Sequence, residues 1–168
     1  NSGNSGGGLY NEKGELIDIV NAKSVSESGE SGGSIENIGY AIPSNVAIAV
    51  AENIVDNGGI LHRARLNIKV QSENAHIVYD EETFRTSIVE TVRVSEVSAG
   101  VGKNMGILVG DVLQSVKVGG RDAVQVTRSF HMIDEMLNAR VGDTVTVTVL
   151  RNGQTETLTG TVGADWFR

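Results

Sequence analysis

The residue best suited to covalent chemistry is Ser5, which lies in the run Gly3-Asn4-Ser5-Gly6-Gly7. A hydroxyl that attacks a peptide carbonyl must sit on a tight turn, with backbone N–H groups directed at the developing oxyanion. Glycines on either side of a serine permit the backbone torsions of such a turn. The same composition is typical of a flexible Gly/Ser linker. The run alone therefore leaves two interpretations open, a nucleophile turn or a linker.

Other reactive side chains are sparse. The three histidines, His62, His76 and His131, all follow Ser5, lie far apart and match no metal-ligand spacing, so we interpret them as surface or structural residues. The sequence contains no cysteine, which excludes disulfides, thiol catalysis and cysteine-based zinc sites. We expect no cofactor and no metal ion.

Composition limits the partners. The 168 residues carry a net charge of −7 and no cluster of Lys and Arg. Nucleic acid is therefore not an expected partner, because binding to phosphates needs clustered positive charge. No apolar run approaches the roughly 20 residues of a membrane-spanning helix, so we expect no membrane contact from this segment.

The elements around Ser5 are predicted to be mainly strands. A hairpin is expected from Leu9 to Val20, with its turn at residues 11–14. A polar loop at 24–34 leads to a short strand at 38–42, which Pro43 ends. Ser44 is the expected N-cap of a helix over 45–57, and the two glycines that follow stop it. Residues 60–65 are interpreted as a linker.

The remaining residues predict a second small β-rich unit. Strands are expected at 66–70, 76–79, 87–97, 112–118, 145–150 and 156–162, with a helical turn at 100–106. An amphipathic helix is predicted over 127–139, with Phe130, Ile133, Met136 and Leu137 on its apolar side. Asn152-Gly153 predicts a tight hairpin turn. The whole chain is therefore predicted to be mainly β with a few helices.

The continuation of the Ser5 run separates the two interpretations. Gly-Asn-Ser-Gly-Gly-Gly-Leu-Tyr at 3–10, Gly-Glu-Leu-Ile at 14–17 and Ile-Gly-Tyr-Ala-Ile-Pro-Ser at 38–44 together resemble the HtrA family of trypsin-like serine proteases. The resemblance implies the C-terminal part of a trypsin-like β-barrel, with Ser5 as the nucleophile and the N–H groups of Gly3 and Ser5 as the oxyanion hole. It also implies two substrate-binding sets: Asn21, Ala22 and Lys23 beside the substrate backbone, and Gly39, Tyr40 and Ala41 along the specificity pocket.

Two features qualify this resemblance. Trypsin-like enzymes carry their His and Asp before the serine, so we expect both groups upstream of Asn1 and expect this chain alone to be inactive. Asp18 stands where the family has glycine. The sequence leaves open whether this carboxylate marks a modified pocket, a specialised subfamily or weakened activity.

A second resemblance follows along the chain. Gly106-x-x-x-Gly110-Asp-Val-Leu, then Gly119-Gly120, Val141-Gly-Asp and Leu150-Arg-Asn-Gly are similar to a PDZ domain of the bacterial protease type. The implied domains are 1–59 and 60–168. The implied peptide groove consists of Leu66, Asn67, Ile68, Thr127 and His131. Asn67 replaces a glycine common in the family, and residues 71–90 form a hairpin long enough to cover part of the groove.

Together the resemblances imply a serine endopeptidase of unfolded or exported proteins that also binds peptide C-termini. A homo-oligomer, an extracytoplasmic location in the periplasm or at the cell surface, and membrane tethering through an N-terminal segment are further implications of the family. The alternative is a non-catalytic peptide-binding or regulatory module on an inert protease-like scaffold.

Overall fold

The computed structural model describes residues 3–24 and 38–167. Most of the predicted polar loop at 24–34 lies outside this range. The chain divides into two compact units, Asn1–Ile60 and Leu61–Arg168. The prediction of a mainly β chain with a few helices is confirmed. None of the helices among the described residues has the length and hydropathy of a membrane-spanning segment.

The first unit is a three-stranded antiparallel sheet with one helix. Its order is β1-β2-β3, formed by β1 (Gly8–Tyr10), β2 (Leu16–Ser24) and β3 (Ile38–Pro43) and followed by helix α1 (Ser44–Asp56). The Asn11 side chain accepts hydrogen bonds from the N–H groups of Lys13 and Glu15 and so closes the hairpin turn. Pro43, not Ser44, occupies the N-cap. Ser44 lies in the first helical turn, where Pro43 fixes the backbone entry instead of a side-chain cap.

The second unit is a twisted antiparallel sheet around one apolar core. Its main path is β4-β5-β6-β8-β9, and a short strand β7 pairs with β6. The strands are β4 (Ile68–Asp80), β5 (Arg85–Val97), β6 (Val112–Val118), β7 (Val124–Gln125), β8 (Thr144–Arg151) and β9 (Gln154–Thr161). Helices α2 (Val101–Met105) and α3 (His131–Glu135) and two 3₁₀ turns, Met136–Asn138 and Ala164–Phe167, cover the sheet.

The core of this unit follows strand alternation. Val145, Val147 and Val149 of β8 are fully buried, because alternate side chains of a strand point to the same face. They pack with Val116 of β6 and Val92 of β5 in the same cluster. The burial of these branched side chains stabilises the fold of the second unit.

Three expectations for this unit were wrong. Strand β4 begins at Ile68 and is one long strand, whereas two separate strands were expected at 66–70 and 76–79. The expected helix over 127–139 is shorter, and Phe130 and Ile133 are exposed while Met132 is buried. Residues 60–65 are not a free linker, because Ala64 lies in the core and the Arg65 N–H donates to the Trp166 carbonyl at 2.7 Å.

A buried ion pair links the two glycine-containing turns of the PDZ-like sequence pattern. Arg151 donates from Nε and Nη2 to the two carboxylate oxygens of Asp111, each at 2.7 Å. Arg151 also donates to the Gly106 carbonyl at 2.8 Å, and Asp111 accepts the Leu108 N–H at 2.9 Å. Burial raises the pKa of Asp111, but these hydrogen bonds outweigh it and hold the pKa below its ordinary value.

Candidate functional site

Ser5 lies at the tip of a tight turn in the first unit. The Gly7 N–H donates to the Asn4 carbonyl at 3.0 Å, which closes a four-residue turn with Ser5 in its second position. Gly6 follows with φ of 85°, a value that suits glycine at the third position of a type II turn. Ser5 is exposed, and its N–H donates to no other described residue. The turn therefore leaves the Ser5 side chain exposed and the Ser5 N–H without an acceptor among the described residues.

Strand β2 anchors this turn. The Gly6 N–H donates to the Val20 carbonyl at 2.8 Å, and the Val20 N–H donates to the Gly7 carbonyl at 2.9 Å. On its other side, Val20 pairs with Ala41 of β3. The Ser5 turn and the predicted pocket segment therefore flank one residue of the central strand.

The predicted substrate-binding residues lie on this same strand end. Ala22 and Lys23 pair with Tyr40 and Gly39 in β3, so the structure brings the two predicted sets together. Beyond Val20, no described residue pairs with β2 on the side of the Ser5 turn. That edge of Asn21 and its neighbours offers backbone groups to an added strand.

Asp18 lies on the same central strand, between Leu9 of β1 and Pro43 of β3. Its side chain is only half-buried. The carboxylate is therefore partly hydrated, and the cost expected for a close-packed strand position is reduced.

The second unit contains an apolar groove between the start of β4 and helix α3. A cavity of about 240 Å³ is present there. Its lining combines three groups of residues: the segment before β4, the first residue of β4 and one face of the helical region, namely Arg63, Ala64, Arg65, Leu66, Asn67, Ile68, Met132, Ile133 and Met136. A lining that combines apolar side chains with two exposed arginines suits an aliphatic residue that carries a carboxylate.

Backbone geometry at Leu66 and Asn67, which line this groove, favours an anion. Asn67 has φ of 56°, the left-handed conformation that glycine and asparagine adopt with least cost. The N–H groups of Leu66 and Asn67 donate to no other described residue. Two adjacent N–H groups of this kind bind a terminal carboxylate in peptide-recognition domains. Asn67 thus has a backbone conformation that a glycine can also adopt without strain.

Thr127 lies in the loop before helix α3 and His131 is the first residue of α3; neither residue lines the cavity. The Nδ1 atom of His131 lies 3.0 Å from the Gln125 carbonyl and 3.5 Å from Thr127 Oγ1. The hairpin at 71–90 likewise contributes no residue to the cavity lining. Their role in peptide binding stays a prediction.

Sequence reasoning missed Glu90, which ties the two walls of the groove. Its carboxylate accepts hydrogen bonds from the Ser72 hydroxyl of β4 at 2.8 Å and from the Ser129 N–H at 3.2 Å. Arg128 forms an ion pair with it at 3.1 Å. The Ser72 bond contributes most to lowering the pKa of Glu90; partial burial opposes it, and Ser129 and Arg128 add to the lowering. Partners 18 and 39 residues away in sequence leave no local signal.

A family profile of the PDZ domain matches residues 64–162, more than half of the chain. The chain therefore belongs to the PDZ-domain family. Beyond this domain it is homologous to HtrA/DegP serine proteases over almost its full length. It is 35% identical over 167 residues to the serine protease Do-like HtrB of Bacillus subtilis, covering 96% of this chain and 34% of that protein.

Two further relatives are also proteases of the HtrA type or serine endoproteases by name. The periplasmic pH-dependent serine endoprotease DegQ of Escherichia coli is 36% identical over 155 residues, covering 92% of this chain and 31% of that protein. The solved structure of the HtrA-type protease AlgW with a tripeptide matches at 28% identity with a TM-score of 0.56, covering 97% of this chain and 50% of that one. The chain thus spans about a third of the length of these curated relatives.

Proposed function

We propose that this chain is the C-terminal part of an HtrA-like serine endopeptidase, with Ser5 as its nucleophile. The observation that carries the proposal is the exposed Ser5 turn, which hydrogen bonds fix to β2 next to a strand edge that pairs with no described residue. A substrate strand added at Asn21 to Lys23 would place its scissile carbonyl beside the Ser5 hydroxyl and the N–H groups of the turn, as acyl transfer requires.

Each predicted residue has a defined role in this proposal. Ser5 attacks the carbonyl carbon, and the N–H groups of Gly3 and Ser5 stabilise the oxyanion. Gly39, Tyr40 and Ala41 border the side chain at the cleavage point. A serine hydroxyl needs a general base, and residues 1–60 contain no histidine. In this proposal, polypeptide other than these residues supplies the base and its acidic partner.

The PDZ unit would bind the C-termini of unfolded polypeptides. The support is the apolar cavity of about 240 Å³ beside the N–H groups of Leu66 and Asn67. Peptides in solved HtrA-type relatives agree with this role. The periplasmic names of relatives support an extracytoplasmic location.

The test is active-site labelling of the protease polypeptide that contains this chain. A fluorophosphonate probe should label the protein, and mass spectrometry of the digest should find the probe on Ser5. The Ser5→Ala variant is the matched control, because Ser5 is exposed and its removal should leave the thermal midpoint unchanged. A folded wild-type protein that is not labelled, or is labelled equally in the variant, would refute Ser5 as an activated nucleophile.

A further inference from the structure

The hairpin between β4 and β5 projects an apolar face that the core does not use. We define the hairpin arm as residues 76–89, beyond the irregularity in the β4–β5 ladder between Glu73 and His76. Ile77 is 72% exposed, Tyr79 is 56% exposed and Ile88 is 46% exposed. Ile77 pairs directly with Ile88, and Tyr79 lies two residues further along the same strand face. These three side chains form one exposed apolar patch.

This patch is continuous with the edge that forms one wall of the peptide groove. Strand β4 is an edge strand of its sheet, since β5 is its only partner among the described residues. Its first residue, Ile68, lines the cavity, and Ile77 lies nine positions further along the same strand. A peptide whose carboxylate lies near Leu66 and Asn67 would pair antiparallel with β4, so its upstream residues would run toward the arm.

We propose that the arm is a second subsite for the same extended polypeptide, which binds apolar residues about nine to eleven positions before its C-terminus. This inference rests on the proposed function of the groove. At about 3.3 Å per strand residue, a peptide of six residues ends before the arm and one of thirteen reaches it. The arm would thereby select unfolded chains with an apolar segment upstream of the terminus over short or polar tails.

The tip of the arm adds a charge preference. Residues 80–85 carry the three carboxylates of Asp80, Glu81 and Glu82 against the single guanidinium of Arg85. Because Asp80 lies directly beyond Tyr79 on the edge strand, a basic residue upstream of the apolar pair would face this negative end.

The experiment compares three fluorescein-labelled peptides with the same six C-terminal residues, ending in an aliphatic residue with a free carboxylate. One has six residues, one has thirteen with two aliphatic residues in alternation opposite the arm, and one has thirteen with serines at those two positions. Fluorescence anisotropy on the 168-residue chain should show about tenfold tighter binding of the apolar thirteen-residue peptide than of the other two.

Two variants locate the effect. Ile77→Ser should remove most of the tenfold gain and leave binding of the six-residue peptide unchanged, because Ile77 is exposed. Val141→Ser is the matched control, because Val141 is 67% exposed and lies far from the arm. The next residue, Gly142, donates its N–H to the Val162 carbonyl just after β9, the edge strand opposite β4. The Val141→Ser variant should retain the gain.

The outcomes separate the two proposals. The arm is not a subsite if the six-residue peptide binds and the apolar thirteen-residue peptide binds no tighter. The same holds if the thirteen-residue peptide keeps its tenfold gain in Ile77→Ser. In both cases the proposed peptide groove remains supported. If no peptide binds the folded wild-type chain, the proposed peptide groove is wrong, and the arm subsite falls with it.

Discussion

Replacement of Arg151 by methionine tests whether the second unit depends on its buried ion pair. The change keeps an unbranched side chain of similar length and removes the guanidinium that binds Asp111 in bidentate fashion. Asp111 is 1% exposed, so its carboxylate would stay buried with the Leu108 N–H as its remaining donor among the contacts described above.

The expected loss follows from that geometry. Removal of one partner of a buried ion pair costs about 3–5 kcal/mol, because the other charge is left without compensation. Asp111→Asn combined with Arg151→Met should recover a large part of this loss, because a neutral amide can still accept from Leu108. Since a domain of this size has a free energy of unfolding of about 5–15 kcal/mol, this loss would remove a large share of the stability of the single variant.

Urea unfolding followed by tryptophan fluorescence measures this loss. Trp166 is the only tryptophan and lies in the core of the second unit, so its signal reports that unit. The pKa of Asp111 is lowered in the folded wild type. The pair therefore stabilises the fold above the unfolded pKa near 4 and loses this contribution as pH falls through the folded value.

The difference between wild type and Arg151→Met should accordingly be largest near pH 7 and should narrow below about pH 4. A loss of less than about 1 kcal/mol at pH 7, or a double variant less stable than Arg151→Met, would contradict the assignment of this pair as a structural requirement.

Two further predictions concern the groove. Asn67→Val should lower the free energy of unfolding by about 1–2 kcal/mol and weaken the binding of C-terminal peptides, because a β-branched side chain disfavours φ of 56°. The control variant, Asn67→Gly, should match the wild type in thermal denaturation and in peptide binding measured by anisotropy. Glu90→Gln should reduce the loss of stability on acidification, measured by urea titrations at several pH values. The pKa of Glu90 is lowered in the folded state, so its stabilising contribution is present above the pKa of the unfolded state and is lost as pH falls through the pKa of the folded state. An unchanged pH profile would show that Glu90 does not tie the groove walls.

Local signals predicted much of the fold. The Asn152-Gly153 turn has positive φ at both residues, which is the geometry that this pair of residues favours. Strand β6 has the predicted bounds, Val112–Val118, because glycine turns limit it on both sides. The Ser5 run alone left a linker and a tight turn open, and the hydrogen bonds from Gly6 to Val20 and from Gly7 to Asn4 show a turn.

Other features depend on distant contacts. Ser72 and Glu73 look like a break in a strand, yet their pairing with β5 keeps β4 continuous. Phe130 fits an apolar helical face, but its ring lies under Arg128 at 5.1 Å and remains exposed. The Asp111–Arg151 pair joins residues 40 positions apart. Charge complementarity at such separations is not encoded in periodicity.

The apolar core cluster described above lies wholly in the second unit, whereas Ala49 is the one buried hydrophobic residue among the described positions of the first. Amide exchange should therefore divide the chain into two kinetic classes, with slow exchange in the valine-rich strands and fast exchange in β1 to β3. Residues 61–168 accordingly carry an apolar core of their own, whereas the described residues around the serine turn bury little apolar surface.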